Sequence, residues 1–477
     1  MTVTTPDLGA AEPGPRAEGE AADAPQASPQ AWPSQRTAYF TVAMMGAAVM
    51  FAEIDRTAMQ YLVKPIKDVF HLNDIMMGLL LGPAFALFYA ACGVPTSRFI
   101  DRFNRKNILS WALALWSTGS VFCGLAQNYW QLIAARLFLG AAESPNAPAI
   151  FSIIADSFPR SRLTRGISLM QLGTTFGNGF SLLMTGVLIA VLSTIPDQHL
   201  GGLVIRWWQL VFIAIGLPGV LVAILIGRTV KEPQRHGANT EAKVGMLEVL
   251  RYMGSKWRIF GAFMGSQAIA GLSLGVLTWN AEFFRRTYHW APAKIAMLQG
   301  AVSIVATLLG LWLGTLLYER FVRQGRHDAA MRVVLLGQLI SLPIGLLYPL
   351  APNGEIALAL SGVNFLMIGA TGASLNAILQ IISPNRMRAQ TTAIFFLFYN
   401  LVGQGLSPLL IGMATDLVLK DESQLRFAIL GAVVLFRPAA LFVLWLGRKA
   451  YAKEVERLDA AEGAGPGGGL STQGAAR

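Results

Sequence analysis

Long apolar stretches alternate with short polar connections along almost the whole chain. A helix needs about 20 apolar residues to cross the hydrocarbon of a bilayer. That window picks out 39–62, 75–97, 107–125, 130–155, 166–192 and 208–227, then 259–283, 293–318, 331–350, 356–382, 391–415 and 427–446. Backbone polar groups in lipid must be satisfied within the segment itself, so each stretch is read as an α-helix. The longest internal connection follows the sixth segment and holds a short amphipathic stretch at 246–253. The pattern predicts an all-α membrane protein of twelve transmembrane helices in two six-helix halves, 37–227 and 257–450, joined by a linker at 228–256. Residues 1–36 are rich in Ala, Pro, Gly and Glu and have no apolar run; they are expected to be disordered, as is the end of the tail 451–477. The first apolar segment starts too late and runs too long for the core of a cleavable signal, so it is expected to remain as a membrane helix.

Composition agrees with this reading. The chain of 477 residues is 54% hydrophobic and 14% charged, with a mean hydropathy of +0.49, whereas soluble domains carry about 25% charged residues. The net charge of +11 does not point to nucleic acid, because the Lys and Arg residues sit in short loops beside apolar segments. Those after segments two, four, six, eight and ten are the richer in positive charge, which places both termini in the cytoplasm. Cys92 and Cys123 lie inside apolar segments and read as small hydrophobes.

Two charges interrupt the fourth segment, Arg136 and Glu143. Seven residues apart, they return to nearly the same face of a helix. A charge near the bilayer centre is costly and normally faces a bundle interior or a wet cavity. Their candidate partners are Glu53, Asp55 and Arg56 in the first segment. Glu53 points about 200° away from Asp55 around the helix. Burial raises the pKa of a carboxylate and a cationic neighbour lowers it; an arginine that swings away would let the acid take a proton. The competing reading is a static ion pair that only fixes helix packing. Arg437, directly before Pro438 in the twelfth segment, is expected to snorkel to an interface from a kinked helix, with service to a substrate anion as the alternative.

Polar residues on otherwise apolar segments mark candidate cavity lining: Gln171, Asn178, Asn280, Asn376, Asn400 and Gln404, with Gln299 and Asn364. Interhelical hydrogen bonding is the ordinary use of such groups and stays open for each. Glycines at 173, 177 and 179 on the fifth segment and at 403, 405 and 412 on the eleventh allow close helix approach. A weak internal repeat relates SRFIDRFNRKNIL after segment two to GTLLYERFVRQGRH after segment eight, so that Asp101 and Arg102 correspond to Glu319 and Arg320. Together with Arg105, these form a candidate gating loop whose acids and bases pair across the ends of neighbouring helices; simple anchoring of the loops in the cytosol is the alternative.

The stretch DRFNRK at 101–106 resembles the loop signature between helices two and three of the major facilitator superfamily. Asn104 stands where most members have glycine, as in the spinster-type branch. DRTAMQYLVKPIKDVF at 55–70, RLFLGAAES at 136–144, GLPGVLVAILIGRTVKEPQR at 216–235, SPNRMRAQTTA at 383–393 and NLVGQGLSPLLIGMATD at 400–416 are similar to bacterial spinster-like carriers. Ala281, with Glu282 close by, replaces the proline that relatives often carry in WNAEFFRRTYHW at 279–290. Carried over residue by residue, the resemblance implies that Asp55 and Glu143 are proton-linked carboxylates, with Glu53 as a further candidate and Arg56 and Arg136 as charge partners. It also implies a monomer in the bacterial inner membrane.

The expected function is therefore secondary active transport of a small amphiphilic or anionic organic solute, coupled to protons, with uptake and export both open. No cofactor and no metal are expected. The sequence has no nucleotide-binding glycine loop and no metal-ligand cluster, and none of its five histidines falls in the middle of an apolar segment, which removes most of the basis for an enzyme. A membrane receptor or scaffold is the remaining rival, although a scaffold has no need of carboxylates buried on helices one and four.

Overall fold

The computed structural model describes residues 32–200, 203–235, 245–384 and 386–463. Among these, 12 helices are long and apolar enough to cross a membrane: Gln35–Tyr61, Asp74–Gly93, Arg105–Leu125, Tyr129–Ser157, Arg165–Leu192, Trp207–Thr229, Trp257–Thr278, Pro292–Arg323, Ala329–Leu350, Gly354–Ile382, Gln390–Leu419 and Glu422–Ala460. They are called the first to twelfth spans below. The expected disorder of 1–36 and of the chain's end falls mainly on 1–31 and 464–477, outside the described residues. The linker contains the helix Met246–Ser255, where the amphipathic stretch was read.

Several spans are broken where their sequences weaken helix continuity. The second divides into Asp74–Leu81 and Pro83–Arg102 at Gly82, since proline suits the first position of a new helix but supplies no N–H to the preceding one. Pro145 divides the fourth into Tyr129–Glu143 and Asn146–Ser157. The seventh comprises Trp257–Leu272 and Gly275–Thr278 and is followed by Asn280–Tyr288. The eleventh contains wide-turn stretches at Tyr399–Gly405 and Ala414–Leu419, features that often accompany functional sites.

Helix Leu425–Gly463 runs well past the expected end of the last segment at 446, into the region read as a tail. Its continuation is amphipathic: Tyr451 and Val455 pack in a core with Val249, Met331 and Ile382, and Glu454 pairs with Lys256 at 2.8 Å. Hydropathy alone stops counting where charges appear, so this part of the helix escapes a 20-residue apolar window. The sequence pattern also missed a short antiparallel hairpin, Gln198–Leu200 with Leu203–Ile205, between the fifth and sixth spans. Its end of the bundle is called the hairpin side; the opposite end is the linker side.

Candidate functional site

The first span carries Glu53, Asp55 and Arg56, and its helical geometry turns them to different neighbours. Asp55, 1% exposed, faces the third and fourth spans, where Ser120 donates to its Oδ1 at 2.7 Å and Nη1 of Arg136 lies 3.1 Å from its Oδ2. Arg56 turns the other way. Its Nη2 reaches Oε1 of Glu143 at 2.5 Å, and its Nη1 stands 3.4 Å from Glu53. Arg136 and Glu143 therefore share a helix face, as their spacing implied, yet each pairs with a different residue of the first span. Phe85 joins the two pairs: the guanidinium carbons of Arg56 and Arg136 lie 4.8 and 5.6 Å from its ring centroid, within cation–π range. Nε of both arginines and Oε2 of Glu143 are buried without a hydrogen-bond partner among the described residues.

Beside this cluster lies a cavity of about 610 Å³ between the two halves. Glu53, Arg56 and Arg136 line it, while Asp55 and Glu143 sit behind its wall. Gln171, Asn178, Asn280, Asn376, Asn400 and Gln404 all line it, as does Gln299. Apolar and aromatic surface comes from Leu81, Phe85, Tyr89, Phe365 and Tyr399. Two of the polar groups are engaged by tyrosines: Tyr61 of the first span donates to Oε1 of Gln299 at 2.6 Å, and Tyr348 donates to Asn280. Asn364 lines a second, smaller cavity. Arg437 does not snorkel outward. Its Nε donates to Oγ of buried Ser273 at 2.8 Å, because the side chain points into the gap where the seventh span breaks.

The cavity is closed on the hairpin side by contacts that the sequence did not reveal. Asp74, fully buried, accepts from Nη1 and Nη2 of Arg286 in the other half at 2.7 and 2.8 Å and also pairs with Lys67. Lys67 reaches Glu422 across the halves at 2.8 Å, and Asp416 accepts from the backbone N–H of Ile75 at 2.7 Å. Burial opposes the charge on Arg286, but the carboxylates of Asp74 and Glu282 outweigh it and hold the guanidinium pKa above that of a free arginine. The helices meet closely here. A Cβ on Gly82 would lie 2.1 Å from the carbonyl oxygen of Gly405, and one on Gly412 would lie 2.3 Å from that of Asp74.

The loops read as a gate behave differently. Arg105 is buried and pairs with Asp156 and, at 2.7 Å, with Glu232, both belonging to the first half or the start of the linker. Arg102 and Arg320 are exposed, and Glu319 only meets Arg323 one turn along its own helix at 3.6 Å. The side chain of Asp101 lies outside the described residues. The repeat in sequence is thus not matched by a repeat in burial: Arg105, capped by Asp156 and Glu232, corresponds to Arg323, which is exposed.

The model of the Major Facilitator Superfamily matches residues 45–408. The chain is 24% identical over 430 residues to an MFS-type efflux pump of Mycolicibacterium smegmatis, covering 88% of this chain and 95% of that protein. It is 26% identical to Protein spinster homolog 3 of Danio rerio, covering 80% and 78%. Among solved structures, it superposes with a TM-score of 0.73 on a bacterial homologue of the human lysosomal transporter spinster in an inward-facing, unoccupied conformation, at 25% identity and covering 89% of this chain and 98% of that one. With twelve spanning helices arranged in two halves around a central cavity, the chain belongs to the Major Facilitator Superfamily and resembles its bacterial spinster-like branch.

Proposed function

We propose that this protein is a secondary active transporter that moves a small amphiphilic or anionic organic solute across the inner membrane by alternating access, coupled to protons and acting as a monomer. The observation that carries the reading is the placement of two arginine–carboxylate pairs at the cavity wall, arginines facing the cavity and carboxylates behind them. A solute that draws Arg56 toward itself weakens the Arg56–Glu143 contact. A carboxylate left without its counter-charge in apolar surroundings takes up a proton. Asp55 is tied more firmly, by both Ser120 and Arg136, so Glu143 is the first acid to respond. Glu53 is partly exposed beside Arg56 and modulates that response. The contacts on the hairpin side hold one end of the cavity shut, and breaking them while the other end closes gives the alternate access that the superfamily fold supports.

Export of a lipid-like or drug-like compound is the second reading. The apolar and aromatic part of the cavity wall favours it, as does the similarity to an efflux pump. Both readings meet the same test. The purified chain is reconstituted in liposomes with a pH dye inside, and organic acids, lysolipids and lipophilic cations are added in turn. Solute-dependent proton movement that is lost in Glu143→Gln and reduced in Asp55→Asn is expected. Transport with proton movement unchanged in both variants would refute the proton switch and return the two pairs to a packing role.

A further inference from the structure

The second half contains a polar centre separate from the arginine–carboxylate cluster of the first. In the first half the polar centre is built on spans one, three, four and six: Asp55, Ser120 and Arg136, with the carbonyl of Phe212 accepting from Ser120 at 3.2 Å. Six spans later in each case, Ser273, Gly345, Asn364 and Arg437 of spans seven, nine, ten and twelve line a small cavity of about 20 Å³. The two centres are related by the fold, but only the first contains acids. Arg437 makes no ion pair among the described residues, and its Nε rests on Ser273, whose own hydroxyl donates to the carbonyl of Ala270 at 2.6 Å. That leaves Nη1 and Nη2, the two arms of the guanidinium fork, without a hydrogen bond to any described residue on the side where Arg437 lines the small cavity. The other titratable group near enough to interact is the hydroxyl of Tyr399, which lines the main cavity.

We infer that Arg437 is the binding site for the anionic group of the transported solute, a carboxylate or a phosphate ester. This rests on the carrier reading and names the charge class of its solute. The small cavity has room for about one oxygen atom, and Leu274, Leu277 and Ile368 line both it and the main cavity. The body of a solute therefore stays in the main cavity, where it meets Arg56, and one oxygen of its anionic end reaches past these three side chains to an arm of the fork.

Charge balance then gives the coupling. The first-half cluster holds three carboxylates, Glu53, Asp55 and Glu143, against two guanidiniums, Arg56 and Arg136, and so carries one net negative charge when fully ionised. Arg437 in the second half carries the compensating positive charge. An anion on Arg437 cancels that charge, and one proton on the first-half cluster restores neutrality. Anion and proton enter the membrane interior together, one proton for each negative charge bound.

The test measures electrostatic potential at the site and needs no knowledge of the solute. In a chain with Cys92 and Cys123 replaced by serine, one cysteine is introduced at Ile368, between the two cavities, or at Gln171, on the wall of the first half. Modification rates by anionic sulfonatoethyl and cationic trimethylammonioethyl methanethiosulfonate are then compared, each relative to a free thiol. The anionic reagent is expected to be favoured at 368 by at least about tenfold over its relative rate at 171, with the preference lost in Arg437→Gln and kept in Arg437→Lys. Equal preference at 368 and 171 overturns the inference, and this comparison leaves Arg437 unchanged, so misfolding of the glutamine variant does not obscure it. A preference at 368 that survives in a folded Arg437→Gln protein overturns it too, as does failure of both reagents to reach 368. Absence of solute-dependent proton movement by the unsubstituted protein in liposomes would refute the proton-coupled reading while leaving this potential measurable.

Discussion

Replacing Asp74 by asparagine separates the contacts that close the hairpin side from those that merely hold the fold. Asparagine keeps the size of the side chain and one acceptor oxygen but removes the charge from a fully buried site that takes two hydrogen bonds from Arg286 and pairs with Lys67. Arg286 stays charged throughout, because its remaining partner Glu282 lies 2.9 Å away on its own helix. A hydrogen bond to a charged group contributes about 1.5–3 kcal/mol. Opening of this side would return Asp74 and Arg286 to water and recover part of what their contacts supply, so the loss is taken as that of about one such bond. The closed arrangement should then lose roughly 10- to 150-fold in population relative to one opened on the hairpin side. Spin labels at Asp197 and Glu355, exposed positions on this side in opposite halves, report the change by pulsed electron resonance as a gain in long distances. An unchanged distance distribution in a folded Asp74→Asn protein would show that the Asp74–Arg286 pair does not set the conformation, and the two-sided account of the cavity would fail with it.

Two further substitutions test neighbouring steps. Gly82→Ala places a methyl 2.1 Å from a backbone oxygen of Gly405, which cannot rotate away; the same label pair should widen, with about 1–3 kcal/mol of strain against the closed arrangement, and a wild-type distribution would refute the close-approach role. Arg105→Gln removes the guanidinium that Asp156 and Glu232 surround. Thermal unfolding in detergent should show a loss of about 3 kcal/mol while the hairpin-side distances stay as in the parent, and a shift in those distances would place Arg105 in the gate after all.

What the sequence made legible follows from how local each signal is. An apolar run of 20 residues announces a spanning helix by itself, so all spans but the twelfth were visible at nearly their full extent, while the breaks beside Pro83 and Pro145 were not read from it. Asp55, Arg136 and Glu143 stood out because charge is scarce in such runs, and the glutamines and asparagines that line the cavity stood out for the same reason. Asp74 and Arg286 did not, since charges near span ends are ordinary there and their pairing joins positions 212 residues apart in the chain. Arg437 was visible as an odd charge whose direction, outward or inward, stayed open: that direction depends on the break at Ser273 in another span, which no pattern within the twelfth segment encodes. The helical stretch beyond 446 was hidden by its own charges, which serve Lys256 and a buried Tyr451 and do not mark the end of the helix.

The distribution of ion pairs between the halves explains how such a molecule can move without leaving charges stranded. On the linker side, the buried pairs among the described residues lie within one half or between a half and its own flanking chain: Arg105 with Asp156 and Glu232, Lys256 with Glu454, and Asp328 with Arg332 and Arg448. The halves can separate there with each of these pairs intact. On the hairpin side, Asp74 with Arg286 and Lys67 with Glu422 cross between halves, so separation must break them and expose their members to water. Close backbone contact at Gly82 and Gly412 adds van der Waals attraction to the same interface. The arrangement seen here is therefore the one in which the crossing pairs are made, and the opposite arrangement requires that something else repay their loss. Solute bound between the halves is the natural source, because it alone contacts both walls of the cavity; a solute that bound one wall only would gain nothing from closure and could not drive it.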